Sequence, residues 1–308
     1  MSRYSCVILD DTNLGFMHRR AKVRLVEGQM KALILGAVMG CCVTAADAAC
    51  PDVSLMQNAA RGWIAGQRLP DPVVRNMDDA NCAYTSFRSV LEAELGPPVG
   101  VKVGFTSQDV RDRFGVEEPI SGALFGPMLL PNGSRLSLRG SRMPHYEADL
   151  VVTVGDPAIM HATTREEVAA ALRDVRPFIE LPDIAFSRGT VPTGPIMAAY
   201  GGAPWRGVLG DSIAISELEN PVEDLGKLGV SLKNNGQTVA ISRGDRLLGH
   251  PLDVVLWLVQ QGHYDLKAGS IISLGAFAAF APAVAGHRIE AEYNLAGRTM
   301  RASVTLIP

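Results

Sequence analysis

Apolar residues recur at three- and four-residue steps in two stretches of the chain between residues 54 and 95. The repeat of the first stretch consists of Leu55, Ala59, Trp63 and Ile64. The second run extends from Asp78 to Leu95. This spacing predicts two helices, each with one apolar face. Prolines, which end or interrupt helices, follow each run: Pro70, Pro72, Pro97 and Pro98.

Beyond Gly100 the pattern changes to short alternating or apolar segments, which are typical of strands. The predicted strands are 101–105, 147–154, 230–232, 239–241, 270–274, 288–293 and 300–306. The sequence Lys-Asn-Asn-Gly-Gln at 233–237 predicts a hairpin turn, because Asn and Gly tolerate a positive φ angle.

Two helices are predicted within this β-rich part. One spans about Thr164 to Leu172, where Thr164 and Glu167 have the spacing of a capping box. The other begins at Pro251, a residue type favoured at the first helical position. The pattern therefore predicts an α+β protein with a small helical N-terminal cap over residues 49–98 and one β-rich catalytic domain over residues 99–308.

The N-terminal region has the pattern of a secretory signal peptide. The stretch from Ala32 to Ala46 is apolar and uncharged, Lys31 precedes it, and Arg19, Arg20, Lys22 and Arg24 lie further upstream. Ala46-Asp47-Ala48 then supplies a small-residue cleavage site. The run is shorter than the about 20 apolar residues of a transmembrane helix. We expect residues 1–48 to be a leader and the mature protein to be periplasmic, without a membrane anchor; a buried N-terminal helix is the alternative.

Cysteine usage is consistent with export. Cleavage after Ala48 would leave two of the five cysteines, Cys50 and Cys82. In an oxidising compartment these two can form a disulfide, which on the chain-entropy argument adds about 3–4 kcal/mol. Two unrelated buried thiols are the alternative.

Composition and charge limit the possible partners. The 308 residues are 47% hydrophobic and 20% charged, as in ordinary globular proteins. A formal net charge of −3 and the absence of a long basic run argue against a nucleic-acid partner.

Three carboxylates carry the clearest chemical signal. Glu147 and Asp149 open an apolar segment, so alternation along a strand places both on one face. Glu180 follows a proline and an apolar pair. Three acids buried together are costly unless a cation lies between them, and carboxylate ligands suit Mg²⁺ or Mn²⁺. The alternative is that Glu147 and Asp149 form the wet face of an edge strand.

Several segments resemble those of 2-hydroxypenta-2,4-dienoate hydratases and 4-oxalocrotonate decarboxylases in the fumarylacetoacetate hydrolase superfamily. Gly100–Ser107 (GVKVGFTS) matches their G-x-K-x-G-x-T-S segment, and Glu147-Ala148-Asp149 lies where they have E-x-E. Gly249–Leu258 matches their GHP(L)-x-x-x-x-W-L signature, and Leu266–Ile272 matches their L-x-x-G-D-x-I turn. Ala83-Tyr84 is similar to their N-terminal AY pair.

The resemblance implies a mixed β-roll core, homo-oligomerisation and Mg²⁺ or Mn²⁺ held by the three acids. It implies that Lys102 is an active-site cation, although a surface lysine is the interpretation without it. It also places Thr106 and Gly275 in the substrate-binding site. The implied activity is that of a lyase of aromatic catabolism, such as a 2-keto-4-pentenoate hydratase, acting on a small 2-oxo or 2-hydroxy-dienoic acid. A 4-oxalocrotonate-type decarboxylase, an acylpyruvate hydrolase and a non-catalytic oxo-acid-binding protein are the alternatives.

The chain departs from this family at several positions expected to handle protons or orient substrate. Ile120 replaces an Asp, His145 replaces an Arg, and Leu274 replaces a small hydroxyl residue. Residues 198–202 (AAYGG) replace an NAS segment. His145 is the nearby residue whose ordinary pKa suits acid/base catalysis near neutral pH. His250 precedes a predicted helix, and we interpret it as structural.

Overall fold

The computed structural model describes residues 50–308, and the predicted leader lies outside this range. Within residues 50–308 the α-helices are α1 (Val53–Ile64), α2 (Met77–Leu95), α3 (Gln108–Phe114), α4 (Arg165–Ala171), α5 (Gly194–Ala199), α6 (Pro221–Gly226) and α7 (Pro251–Gln261). The strands are β1 (Pro98–Gly104), β2 (Ile120–Phe125), β3 (Leu129–Pro131), β4 (Ser134–Ser137), β5 (His145–Val154), β6 (Leu172–Leu181), β7 (Arg206–Leu209), β8 (Ile213–Ala214), β9 (Gly229–Asn234), β10 (Gln237–Arg243), β11 (Ile271–Pro282), β12 (Arg288–Leu295) and β13 (Arg298–Ile307).

The strands form two sheets. The larger has the order β2-β1-β11-β5-β6-β7-β3, and β8 pairs with β6. The smaller has the order β10-β9-β12-β13-β4. Strand β1 pairs in parallel with β11. The neighbouring pairs β11–β5, β5–β6 and β6–β7 are antiparallel. This mixed arrangement agrees with the predicted α+β class.

The two N-terminal helices form as predicted from the apolar spacing. The Asp52 side chain caps α1 by accepting a hydrogen bond from the Ser54 N–H, and the Asn76 side chain caps α2 by accepting one from the Asp79 N–H. The buried face of α1 consists of Met56, Ala59, Ala60 and Trp63. The predicted apolar repeat was therefore wrong at Leu55 and Ile64, which are 37% and 39% exposed. Residues 50–308 belong to one compact unit, so these helices pack as part of the same body as the sheets.

Other local predictions are also confirmed. The capping box of Thr164 and Glu167 is present at the start of α4, and α7 begins at Pro251. At the β9–β10 hairpin, Asn235 and Gly236 have φ angles of 49° and 76°. None of the helices described in residues 50–308 is long and apolar enough to cross a membrane.

Candidate active site

Three strands of the larger sheet contribute the charged residues of the site. Lys102 lies on β1, Glu147 and Asp149 lie on β5, and Glu180 lies on β6 directly opposite Glu147. Strand β11 separates β1 from β5. In a flat sheet β1 and β6 would be about 14 Å apart, since neighbouring strands are about 4.8 Å apart. The Lys102 ammonium nevertheless contacts Glu180, so the sheet must curl strongly around the site.

The side chains that form the hydrogen bonds of the site are buried. The exposed fractions are 5% for Lys102, 0% for Asp149 and 2% for Glu180, whereas Glu147 is partly exposed. Lys102 Nζ donates to Glu180 Oε1 and, at 3.3 Å, to the carbonyl oxygen of Gly202. The Ser273 hydroxyl donates to Asp149 Oδ2 at 2.5 Å. Each of these groups is therefore oriented by a protein partner, except Glu147.

The electrostatics of the site point to a shortage of positive charge. Burial, followed by the charge of Glu180, raises the pKa of Glu147 well above its ordinary range and raises the pKa of Asp149 to about 7. Burial by itself would lower the pKa of Lys102, but Glu180 and Glu147 outweigh it and the pKa is raised. With all groups ionised, three carboxylates and one ammonium leave two uncompensated negative charges. A divalent cation would balance them.

The donor chemistry therefore fits Mg²⁺ or Mn²⁺, although the side chains are not arranged around an ion. Across residues 50–308, no three His, Cys, Asp or Glu side chains stand in a geometry that would hold a metal as they lie. Glu180 is turned towards Lys102, and Asp149 is turned towards Ser273. Metal binding would require at least the lysine–glutamate pair to open.

Comparison with known proteins supports the family resemblance. No family model matches the chain. It is 28% identical over 226 residues to the 2-keto-4-pentenoate hydratase of Paraburkholderia xenovorans (strain LB400), covering 72% of this chain and 82% of the relative. It is 29% identical over 220 residues to a 4-oxalocrotonate decarboxylase of Pseudomonas putida, covering 70% and 81%.

The fold is also similar to solved structures. The 4-oxalocrotonate decarboxylase from Pseudomonas putida G7, complexed with magnesium and adipate, gives a TM-score of 0.71 at 24% identity and covers 83% of this chain and 97% of that chain. The fumarylpyruvate hydrolase from Pseudomonas aeruginosa, in complex with Mn²⁺ and pyruvate, gives 0.52 at 16% identity and covers 67% and 88%. The chain is thus similar in sequence to these hydratases and decarboxylases and shares the fold of fumarylacetoacetate hydrolase-type structures. Its sequence relatives are on the hydratase and decarboxylase branch, and the predicted β-roll core is confirmed.

Thr106 and Gly275, which the superfamily resemblance assigns to substrate binding, lie next to each other. A side chain at Gly275 would collide with Thr106 Oγ1, and the glycine has a φ angle of 97° that L residues rarely adopt. Gly275 lies on β11 between Ser273, which bonds Asp149, and Ala276, which stands opposite Asp149. The pair is therefore close to the carboxylates, and Thr106 is 2% exposed.

His145 shares a strand with Glu147 and, by alternation, a strand face. Its ring stacks on Phe280 with centroids 4.2 Å apart, and Nδ1 donates to the Met143 carbonyl at 2.9 Å. Nε2 therefore has the lone pair in the neutral ring. Burial lowers the pKa of His145, which keeps the ring neutral near pH 7.

The departures from the superfamily pattern surround Lys102. Ile120 stands opposite Gly104 on β1, and both Ile120 and Lys102 face Gly202. A Cβ atom at Gly202 would lie 3.3 Å from Lys102 Nζ and 3.8 Å from Ile120 Cδ1. The glycine pair 201–202 thus gives the lysine a close carbonyl acceptor, a role that sequence reasoning did not assign. Ser273 was also missed, although it lies within the predicted strand 270–274.

His250 and the cysteine pair have structural roles. His250 caps α7: Nδ1 accepts from the Leu252 N–H at 3.1 Å, and Nε2 donates to the Val222 carbonyl at 2.8 Å. Both ring nitrogens are thus used by the backbone. Cys50 and Cys82 form a disulfide with their Cα atoms 5.5 Å apart, which joins the segment before α1 to α2.

Proposed function

We propose that this protein is a metal-dependent lyase that hydrates a small 2-oxo or 2-hydroxy-dienoic acid, in the manner of the 2-keto-4-pentenoate hydratases it is similar to. One observation carries the proposal: three acids meet on one sheet face beside a single buried lysine, and when all are ionised they carry two more negative than positive charges. An anionic substrate would be repelled by such a site, so a bound cation is required for it to enter.

Glu147, Asp149 and Glu180 would hold Mg²⁺ or Mn²⁺. The ion would supply Lewis-acid stabilisation of negative charge on the substrate. Lys102, once released from Glu180, would stabilise negative charge that develops on the substrate oxygen through its ammonium. Ser273 keeps Asp149 oriented through its hydrogen bond.

His145 and Thr106 complete the proposed machinery. His145 is the candidate for proton transfer because its Nδ1 is bonded to Met143 and Nε2 is left as the acceptor. Thr106, at the end of the Lys102 strand and against Gly275, would contact the substrate carboxylate through its hydroxyl.

Decarboxylation of a 4-oxalocrotonate-type acid is the second candidate. The apolar side chain of Ile120 beside Lys102 favours it, because an apolar wall offers no group to activate water for hydration. Hydrolysis of an acylpyruvate and non-catalytic binding of oxo acids remain outcomes of the test.

The test is turnover by purified protein with Mg²⁺ or Mn²⁺. Loss of dienoate absorbance with 2-hydroxypenta-2,4-dienoate would support hydration, CO₂ release from 4-oxalocrotonate would support decarboxylation, and pyruvate release from an acylpyruvate would support hydrolysis. Lys102→Met should abolish turnover while retaining metal binding, and the exposed Glu94→Gln should change neither. Wild-type protein that binds oxo acids but turns over none of these compounds would contradict an enzymatic role.

We also infer that the protein is exported and forms homo-oligomers. The leader pattern of residues 1–48 and the disulfide between Cys50 and Cys82 support export, since disulfides persist in oxidising compartments. Oligomerisation rests on the superfamily resemblance. Light scattering of the purified protein tests it, and a monomeric mass at micromolar concentration would contradict it.

A further inference from the structure

A second cavity lies away from the carboxylates, between the C-terminal end of α1 and the start of β7. Its volume is about 290 Å³, and two of the three tryptophans of the chain, Trp63 and Trp205, line it. They are 8% and 6% exposed. Arg206, another lining residue, pairs with Leu181 on β6, the residue after Glu180. Alternation along β6 therefore places this cavity on the opposite side of the sheet from Glu180.

The lining is cationic. It includes Arg139, Arg142 and Arg206, and the described residues that line the cavity contain no Asp or Glu. Arg142 is occupied by the fold, because it pairs with Asp183 at 3.1 Å and donates to the carbonyls of Trp63 and Gln67. Its charge is therefore already compensated.

Arg139 and Arg206 differ from Arg142. Neither takes part in any ion pair within residues 50–308. Arg206 makes one hydrogen bond, from Nη1 to the Trp205 carbonyl at 2.8 Å, and burial lowers its pKa. A half-buried guanidinium that lacks an anionic partner is costly, so an anion in the cavity would stabilise it.

The aromatic rings make the cavity selective for a planar ligand. The guanidinium of Arg206 lies 5.4 Å from the Trp205 ring centroid, and that of Arg142 lies 6.0 Å from the Trp63 ring centroid. A guanidinium that lies over an aromatic ring can still donate its N–H groups to a carboxylate.

We propose that this cavity binds a small aromatic carboxylate. The carboxylate would pair with Arg206 and Arg139, while the ring would pack against the two indoles. The size agrees, because a cavity of about 150 Å³ already binds benzene and 290 Å³ leaves room for a ring with a carboxylate. The positive lining distinguishes this cavity from the negatively charged site around Glu147. The chemistry proposed for that site does not use the cavity.

Intrinsic tryptophan fluorescence tests the proposal without reference to activity. We expect benzoate to change the emission of the full chain saturably, whereas benzamide, its neutral isostere, and acetate, which has no ring, should bind far more weakly. Arg206→Gln should weaken benzoate binding by about tenfold or more, since a charge-assisted hydrogen bond contributes about 1.5–3 kcal/mol. Arg88→Gln is the matched control: Arg88 also lies over an aromatic ring, 5.1 Å from the Tyr264 centroid, but outside this cavity. The affinity of the Arg88→Gln variant for benzoate should equal that of the wild type.

A tryptophan outside the cavity and a second arginine inside it provide further variants for the test. Trp257→Phe should leave the benzoate response intact, because Trp257 does not line the cavity. If Arg206→Gln fails to fold, Arg139→Gln tests the same charge from the other side. No saturable response to benzoate, an equal response to benzamide or acetate, or unchanged affinity in the folded Arg206→Gln or Arg139→Gln variant would overturn the proposal.

Discussion

Replacing Glu147 with Gln separates the effect of the acid cluster on metal binding from its effect on the metal-free fold. Glu147 stands opposite Glu180 and two residues from Asp149, and neither Lys102 nor Ser273 donates to it. Glu147→Gln should therefore remove a metal ligand without breaking an ion pair. Glu180→Gln is a less clean test, because it would leave the buried Lys102 ammonium without its partner, which in other proteins costs about 3–5 kcal/mol.

The expected magnitudes follow from the geometry. Residues opposite each other in an antiparallel pair have Cβ atoms about 4.5–5.5 Å apart, and two charges about 5 Å apart repel by about 3 kcal/mol at an effective dielectric constant of about 20. The substitution relieves this repulsion and loses part of the attraction to Lys102, which acts more weakly on Glu147 than Glu180 does. The metal-free variant should therefore be as stable as the wild type or more stable.

The assay is thermal unfolding with and without Mn²⁺. At 100 times the dissociation constant, metal binding stabilises the wild type by about 2.7 kcal/mol, which corresponds to a rise in Tm of roughly 5–11 °C for a protein of this size. A loss of about 3 kcal/mol in metal affinity would leave less than about 0.4 kcal/mol at the same concentration, or a rise of about 1–2 °C at most. Glu94→Gln should behave as the wild type. Equal shifts in wild type and Glu147→Gln, or no shift in the wild type, would refute the reasoning.

Three further predictions concern the N-terminal part of the protein. Mass spectrometry of the exported protein should identify Ala49 as the first residue; protein retained with its leader would contradict the signal peptide. Non-reducing peptide mapping of periplasmic material should link Cys50 to Cys82, and two free thiols there would contradict the disulfide. Val73 is 75% exposed and has a φ angle of 56°, which is unfavourable for a β-branched residue. Val73→Asn should raise the free energy of unfolding by about 1 kcal/mol, as relief of left-handed strain predicts; a lower midpoint of urea unfolding would contradict this.

Local patterns in the sequence predicted the elements whose stability is local. The N-terminal helices, the capping box at Thr164 and the hairpin at Asn235-Gly236 all depend on residues a few positions apart, and all are present. The same holds for Glu147 and Asp149, since alternation along one strand suffices to put them on one face.

Strand β6, which carries Glu180, was not predicted as a strand because its sequence, LRDVRPFIEL, has four charged residues and a proline. The structure explains how a central strand tolerates them. Asp174 accepts a hydrogen bond from Thr153 on β5 at 2.7 Å and pairs with Arg173 and Arg176 of its own strand. These charges are compensated by neighbours that include a residue 21 positions away, which periodicity along the chain does not reveal.

The meeting of Lys102 with Glu180, 78 residues apart, depends on the shape of the whole sheet rather than on either strand. Strand β11 lies between them and its register against β5 shifts between Ser273 and Ala276, at the position of Gly275. Such an irregularity bends a strand and increases its twist. The φ angle of 97° at Gly275 would strain any residue other than glycine. The bend curls the sheet so that the β1 lysine reaches over β11 and β5 to the β6 carboxylate. Gly275 therefore matters to the site in two ways, since the same backbone turn that leaves room for Thr106 also brings the lysine to the acids.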